Sequence, residues 1–186
     1  MERNTFKKFC LKLLVRIVCL DICCFVLSAV AISINSGKII RVVLQLICLV
    51  AIIGFIYPVA YKFGDAESPL VQGGHRHKNL FKGLFGGLIA TSPFVISGIY
   101  LLISKIFEIN NNFVSYYKML NSQYFSYLYS IMPVDHTLSE LSLSTIFCAL
   151  IPLAIIPLIA MFGYVLGYYR FSFYEKLFFK KKEVKA

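Results

Sequence analysis

Four apolar stretches, at residues 13–34, 39–61, 84–103 and 143–169, constrain this chain more than any other feature of it. The second reads "IIRVVLQLICLVAIIGFIYPVAY" and carries one charge, Arg41. A helix rises about 1.5 Å per residue and the hydrocarbon layer of a bilayer is about 30 Å thick, so about 20 apolar residues suffice to cross it. Each stretch meets that length. Composition agrees, with 59% hydrophobic and 15% charged residues among 186, a balance that excludes an ordinary soluble domain. None of the stretches alternates apolar with polar residues, which excludes a transmembrane barrel. The expectation is an all-α integral membrane protein: a single polytopic helical domain over residues 1–186, with no linker, repeat or low-complexity tract. The start, "MERNTFKKFCLKLLVRIVCLDICCFVLSAVA", also has the basic, apolar and small-residue zones of a signal peptide. Its apolar zone is long, contains Asp21 and runs at once into a second span, so a retained span is the preferred reading.

The formal charge of +10 would suggest nucleic acid on a soluble protein. Here the basic residues sit at span ends, where lipid and the insertion machinery read them, and no nucleic-acid partner is expected. They crowd the N-terminus (Arg3, Lys7, Lys8, Lys12), the second loop (Lys62, Arg76, Lys78, Lys82) and the tail (Arg170, Lys176, Lys180, Lys181, Lys182, Lys185). Both termini and the second loop are therefore expected on the cytoplasmic side of a cell membrane. The tail joins an aromatic belt to a lysine cluster, which should hold it against anionic headgroups.

Small residues mark the third and fourth spans. Gly83, Gly87, Thr91 and Gly98 recur at near-helical spacing, and Ala160, Gly163 and Gly167 do the same, the last two as G-x-x-x-G. Such ridges let helices approach closely, within one molecule or between copies. Pro93, Pro152 and Pro157 each remove a helix hydrogen bond and are expected to kink their spans, for packing or to expose carbonyls to a transported ion.

Asp21 is the sharpest candidate for function, because a carboxylate about two turns inside a span is costly. A hydrogen bond between helices and a proton- or cation-coupled role are both open to it. Arg16 lies nearer the edge, where it can reach headgroups, and five residues is a poor spacing for an ion pair with Asp21. Cys19, Cys23, Cys24 and Cys48 lie in apolar runs and read as small hydrophobes. His75 and His77, with Asp65 and Glu67 in the same segment, offer four metal-ligating groups, but the spacing fits no closed zinc motif and two glycines precede it. No metal or other cofactor is expected.

In the third loop Phe113, Tyr117, Leu120, Tyr124, Tyr127, Leu128 and Ile131 form a helical stripe, predicting an amphipathic helix lying in the outer interface, or capping a cavity between spans. Thr137 and Glu140 fit a capping box opening the last helix. H-E-x-x-H, G-x-S-x-G and P-loop patterns are absent.

The segment "YKFGDAESPLVQGGHRHKNLFKGLFGGLIATSPF" resembles a region of small four-span membrane proteins of Gram-positive bacteria with no assigned activity. Gly64, Asp65, Lys82, Gly83, Leu84, the run from Gly87 to Ala90 and Pro93 carry the resemblance over about a fifth of the chain. It implies membrane location and fold only. The leading functional expectation is a non-catalytic accessory, assembly or immunity-like subunit acting by helix contacts, on a membrane partner or a second copy. The alternative is a small oligomeric ion or solute transporter that uses Asp21. An interfacial lipid enzyme is the third reading.

Overall fold

The computed structural model describes residues 2–33, 38–75, 77, 79–132 and 137–171. Its long helices are α1 (Glu2–Ser33), α2 (Lys38–Gln72) and α3 (Lys82–Phe107), followed by the short α4 (Phe113–Leu120) and α5 (Phe125–Ile131), then α6 (Leu143–Leu150) and α7 (Ile155–Tyr168). Four helical stretches are long and apolar enough to cross a membrane: Thr5–Val30, Ile39–Gln72, Lys82–Phe107 and Leu143–Tyr168. The bundle is built around α7, which packs along both α2 and α3, while α1 closes on α2 and α3.

Each long helix contributes one face to the core. On α1 that face is Phe9, Leu13, Ile17, Leu20 and Cys24, recurring every three or four residues and all buried. Ile52, Ile56 and Ala60 of α2 meet Ala160 and Tyr164 of α7 in the same core. Many other residues of α1 and α2, among them Leu11, Ile22, Val42 and Val50, are apolar and exposed. Cys24 and Cys48 are buried, whereas Cys19 and Cys23 point outward.

Helix α2 is longer than the sequence suggests. The polar run after Tyr61, "KFGDAESPLVQ", reads as loop, yet the helix continues through it and past Pro69 to Gln72. Tertiary contact outweighs local propensity here: Gly64 lies against the backbone of Tyr164 and Tyr168, and Glu67 and Ser68 are buried. The helix stops where Gly74 takes φ +71°, with the amide of Gly74 donating to Val71 O and that of His75 to Leu70 O. This Schellman termination needs a left-handed residue, which only glycine supplies cheaply.

The fourth span is interrupted. A 3₁₀ turn over Ile151–Ala154 containing Pro152 separates α6 from α7. Its start also departs from the expected capping box. The N-cap is Ser142, whose hydroxyl accepts from the Thr145 amide at 3.2 Å, while the Thr137 amide donates to Glu140 within a separate preceding turn.

The single amphipathic helix expected in the third loop is two helices hinged by a 3₁₀ turn, Ser122–Tyr124. Asn121 breaks it, its side-chain amide donating to Tyr117 O at 3.0 Å and to Ser97 Oγ at 3.3 Å. Short polar side chains compete in this way with helix backbone bonds. The stripe is split: Tyr117, Tyr124 and Leu128 are buried against the bundle, and Leu120 faces outward. The hinge residues Asn121, Ser122, Gln123 and Tyr124 go deepest, at no more than 2% exposed.

Candidate functional site

The hairpin tip is docked on Asp21. Ser122 Oγ lies 2.9 Å from Asp21 Oδ1 and 2.6 Å from Asp21 O, its one hydroxyl proton shared between them, and the Gln123 amide points at Oδ1 from 3.4 Å. Among the described residues no basic side chain pairs with the carboxylate. The tip also holds buried polar atoms without partners: Asn121 Oδ1, both side-chain atoms of Gln123 and the Tyr124 hydroxyl. Unpaired groups of this kind are expensive, and native proteins keep few of them. Asp21 with these neighbours can hold a proton or small cation, or serve purely as the anchor of the hairpin.

Two tyrosines of the hairpin bond to the break in the fourth span. Pro152 has no amide to offer Cys148 O, which accepts from the Ile151 amide and from the Tyr127 hydroxyl, the latter at 3.1 Å. The Tyr117 hydroxyl donates to the next carbonyl, Ala149 O, at 2.9 Å. From α2, Gln45 accepts from the Tyr127 amide at 3.2 Å, and the Arg41 guanidinium sits 4.3 Å from the centre of the Tyr129 ring. Burial pushes the Tyr117 and Tyr124 hydroxyls above the usual tyrosine range and the Lys118 ammonium below the usual lysine range.

A second polar cluster lies at the opposite end of the bundle. Glu67 is 2% exposed and accepts from Lys82 Nζ at 2.6 Å and from the Tyr164 hydroxyl at 2.5 Å, joining α2, α3 and α7. Arg170 pairs with Asp65 at 3.0 Å and holds φ at +52°, where α7 ends. Asp65 and Glu67, the oxygens proposed beside His75 and His77, are thus engaged on a helix. The two histidines are exposed, and among the described residues no group of three metal-ligating side chains forms.

Around this end the small residues meet their neighbours closely. Gly83 lies on Tyr164 and Ala160, Gly87 on Pro157 and Ala160, Gly163 on Tyr57 and Ala60, and Gly167 on the Tyr61 carbonyl. Gly98 lies nearer the hairpin, against Leu150, Leu153 and Tyr117. Thr91 is buried and donates back to Gly87 O at 2.9 Å. Pro93 sits inside a continuous α3, and the carbonyl its missing amide would have bonded, Ile89 O, accepts from Ser92 Oγ at 2.8 Å. Pro157 falls in the first turn of α7, where no helical bond is lost, so the break in this span belongs to Pro152.

No protein-family model, curated protein or solved structure matches the chain. None of them tests the expected resemblance to small four-span proteins of Gram-positive bacteria. Of the residues quoted for it, Gly64, Asp65, Lys82 and Gly83 lie where α2 and α3 adjoin the later half of α7 or the residues just after it, and Gly87 lies against its start.

Sequence reasoning singled out Asp21 and missed its partner, which lies 101 residues away. It also missed the Glu67, Lys82 and Tyr164 cluster by reading Glu67 as a loop residue. The only sequence signal for the docked tip is "NSQY", a polar run that interrupts the aromatic stripe.

Proposed function

We propose that this chain is a multi-pass protein of a bacterial cytoplasmic membrane, with both termini cytoplasmic, that works without catalysis as an accessory, assembly or immunity-like subunit through helix contacts. The observation that carries the reading is the outer face of α2. Ile39, Val42, Leu46, Val50 and Ile53 follow helical spacing and are 51% to 80% exposed, an apolar stripe left uncovered among the described residues. The polar groups inside the bundle fit the same reading, since Asp21 and Glu67 each hold other elements of the chain in place. In such a membrane the α4–α5 hairpin caps the outer end of the spans, at interfacial depth, and the lysine-rich tail meets anionic headgroups.

The test is gentle extraction of the C-terminally tagged chain from its native membrane, with mass spectrometry of what co-purifies at stoichiometric amounts. A defined membrane partner is expected, and its recovery should fall when Leu46→Trp and Val50→Trp reshape the stripe. Recovery of this chain alone would overturn the accessory reading.

A second reading is supported by the unpartnered polar atoms around Asp21: a small oligomeric transporter of a proton or cation. Reconstituted flux abolished by Asp21→Asn would establish it, and Asp21→Asn with intact partner recovery and no flux in either form would remove it.

A further inference from the structure

A groove of about 690 Å³ runs between α1 and α2 near the N-terminus, flanking the core stripe of α1 and reaching Phe9 at its edge. Its walls carry four cations. Lys8, Lys12 and Arg16 follow one another at i, i+4 and i+8, so they form a row along one face of α1, and Lys62 faces them from α2. Among the described residues no acidic side chain lines the groove. Among the described residues Lys8, Lys12 and Lys62 engage no carboxylate and no hydrogen-bond partner. Arg16 is fixed at the inner end, where its Nη1 donates to Phe55 O at 2.9 Å, one residue after the carbonyl that Pro58 leaves without a donor. Its remaining guanidinium donors are left for another acceptor. Beside the cations the walls are apolar, formed by residues that include Val15 and Val59.

Like charges gathered on one groove repel one another unless an anion joins them. The row from Lys8 to Arg16 descends about 12 Å along the helix, the distance from headgroup depth into the upper acyl layer. A free phosphate would satisfy the cations and leave the apolar wall unused. We propose that this groove holds the phosphate of an anionic phospholipid, between Lys8, Lys12, Arg16 and Lys62, with its acyl chains along Val15 and Val59. The inference rests on the membrane reading above, and it assigns the lipid site to the groove residues rather than to the lysines of the tail.

The chain contains no tryptophan, so a single introduced tryptophan reports on the groove alone. Val59→Trp is placed in the full-length chain in bilayers doped with brominated phosphatidylglycerol or brominated phosphatidylcholine, with Val15→Trp as a second reporter on the facing wall. Brominated phosphatidylglycerol should quench at about tenfold lower mole fraction than brominated phosphatidylcholine, a preference abolished by Lys8→Gln, Lys12→Gln and Lys62→Gln together. Neutralising Lys180, Lys181 and Lys182 removes the same charge from the tail and should leave it intact. Equal quenching by the two lipids at both reporters overturns the proposal while leaving the membrane reading standing. A preference that follows the tail charges, or one erased by inorganic phosphate at constant ionic strength, overturns it too. Absence of quenching by either lipid overturns both readings.

Discussion

The two ends of the bundle are held by opposite means. Along α7, backbones touch through Gly64, Gly83, Gly87, Gly163 and Gly167, and toward its end the deeply buried Glu67 has two strong donors. At the hairpin end, contact is made by side chains reaching across gaps: tyrosine hydroxyls on carbonyls at the break in the fourth span, a serine on Asp21, and four buried polar atoms around the tip with no partner. The interior of one end is close-packed, with its buried acid paired. The other is polar and incompletely satisfied, which is the character of regions that move or bind. Substitutions at the two ends should therefore differ in size and even in sign.

The largest effect belongs to the glycines. A methyl group at Gly167 would run into the Tyr61 carbonyl and one at Gly64 into the Tyr164 carbonyl, and backbone cannot rotate away. Gly167→Ala or Gly64→Ala should each cost about 3 kcal/mol, read from unfolding in mixed micelles. Gly54→Ala, with nothing within 4 Å, should be neutral or gain up to about 1 kcal/mol from helix propensity. Equal losses at all three sites would break the comparison. Next comes Glu67→Gln, which weakens two charge-assisted bonds and should cost about 2 kcal/mol, the Lys82 end being 22% exposed and so partly solvated.

At the hairpin end the changes are smaller. Tyr117→Phe removes the buried bond to Ala149 O and should cost about 1 kcal/mol, whereas Gln123→Leu removes an amide that bonds nothing and should be neutral or stabilising by about 1 kcal/mol. A clear loss on Gln123→Leu would show that its amide has a partner and would erase much of the contrast between the ends. The smallest effect is that of pH. Burial keeps Tyr117 and Tyr124 protonated in the fold above the usual value of 10.0, while the unfolded chain releases those protons as pH passes it. Their contribution is present in full below that value and is lost as pH rises through it. Lys118, shifted down by burial, acts with the opposite sign and blunts the loss. Thermal unfolding should show falling stability toward alkaline pH, with a shallower slope in Tyr117→Phe with Tyr124→Phe.

The spans were legible because a run of about 20 apolar residues has few ways to avoid water. The end of α2 was not, since "GDAESPLVQ" is loop-like by composition and becomes helix only because α7 and α3 cover Gly64, Glu67 and Ser68. Asp21 stood out through its cost in apolar surroundings, but nothing local to either residue couples it to Ser122. The stripe from Phe113 to Ile131 had the right period and the wrong continuity: the period counts apolar positions, and it was the polar Asn121 that bent the chain. The capping box expected from Thr137 and Glu140 did not open the last helix: the structure uses Ser142 as the cap, while Thr137 and Glu140 close a turn of their own.

The central claim is that the hairpin docks between the spans through Asp21. Leu46 of α2 and Ser126 of α5 line one cleft of about 660 Å³, and neither takes part in that docking. In a chain whose six native cysteines are replaced, Leu46→Cys with Ser126→Cys is treated in native membranes with a short bifunctional thiol reagent. Docking predicts an intramolecular cross-link in most molecules, and its marked loss when Asp21→Ala is added. Two thiols that stay independently reactive, or a cross-link indifferent to Asp21→Ala, would contradict the claim.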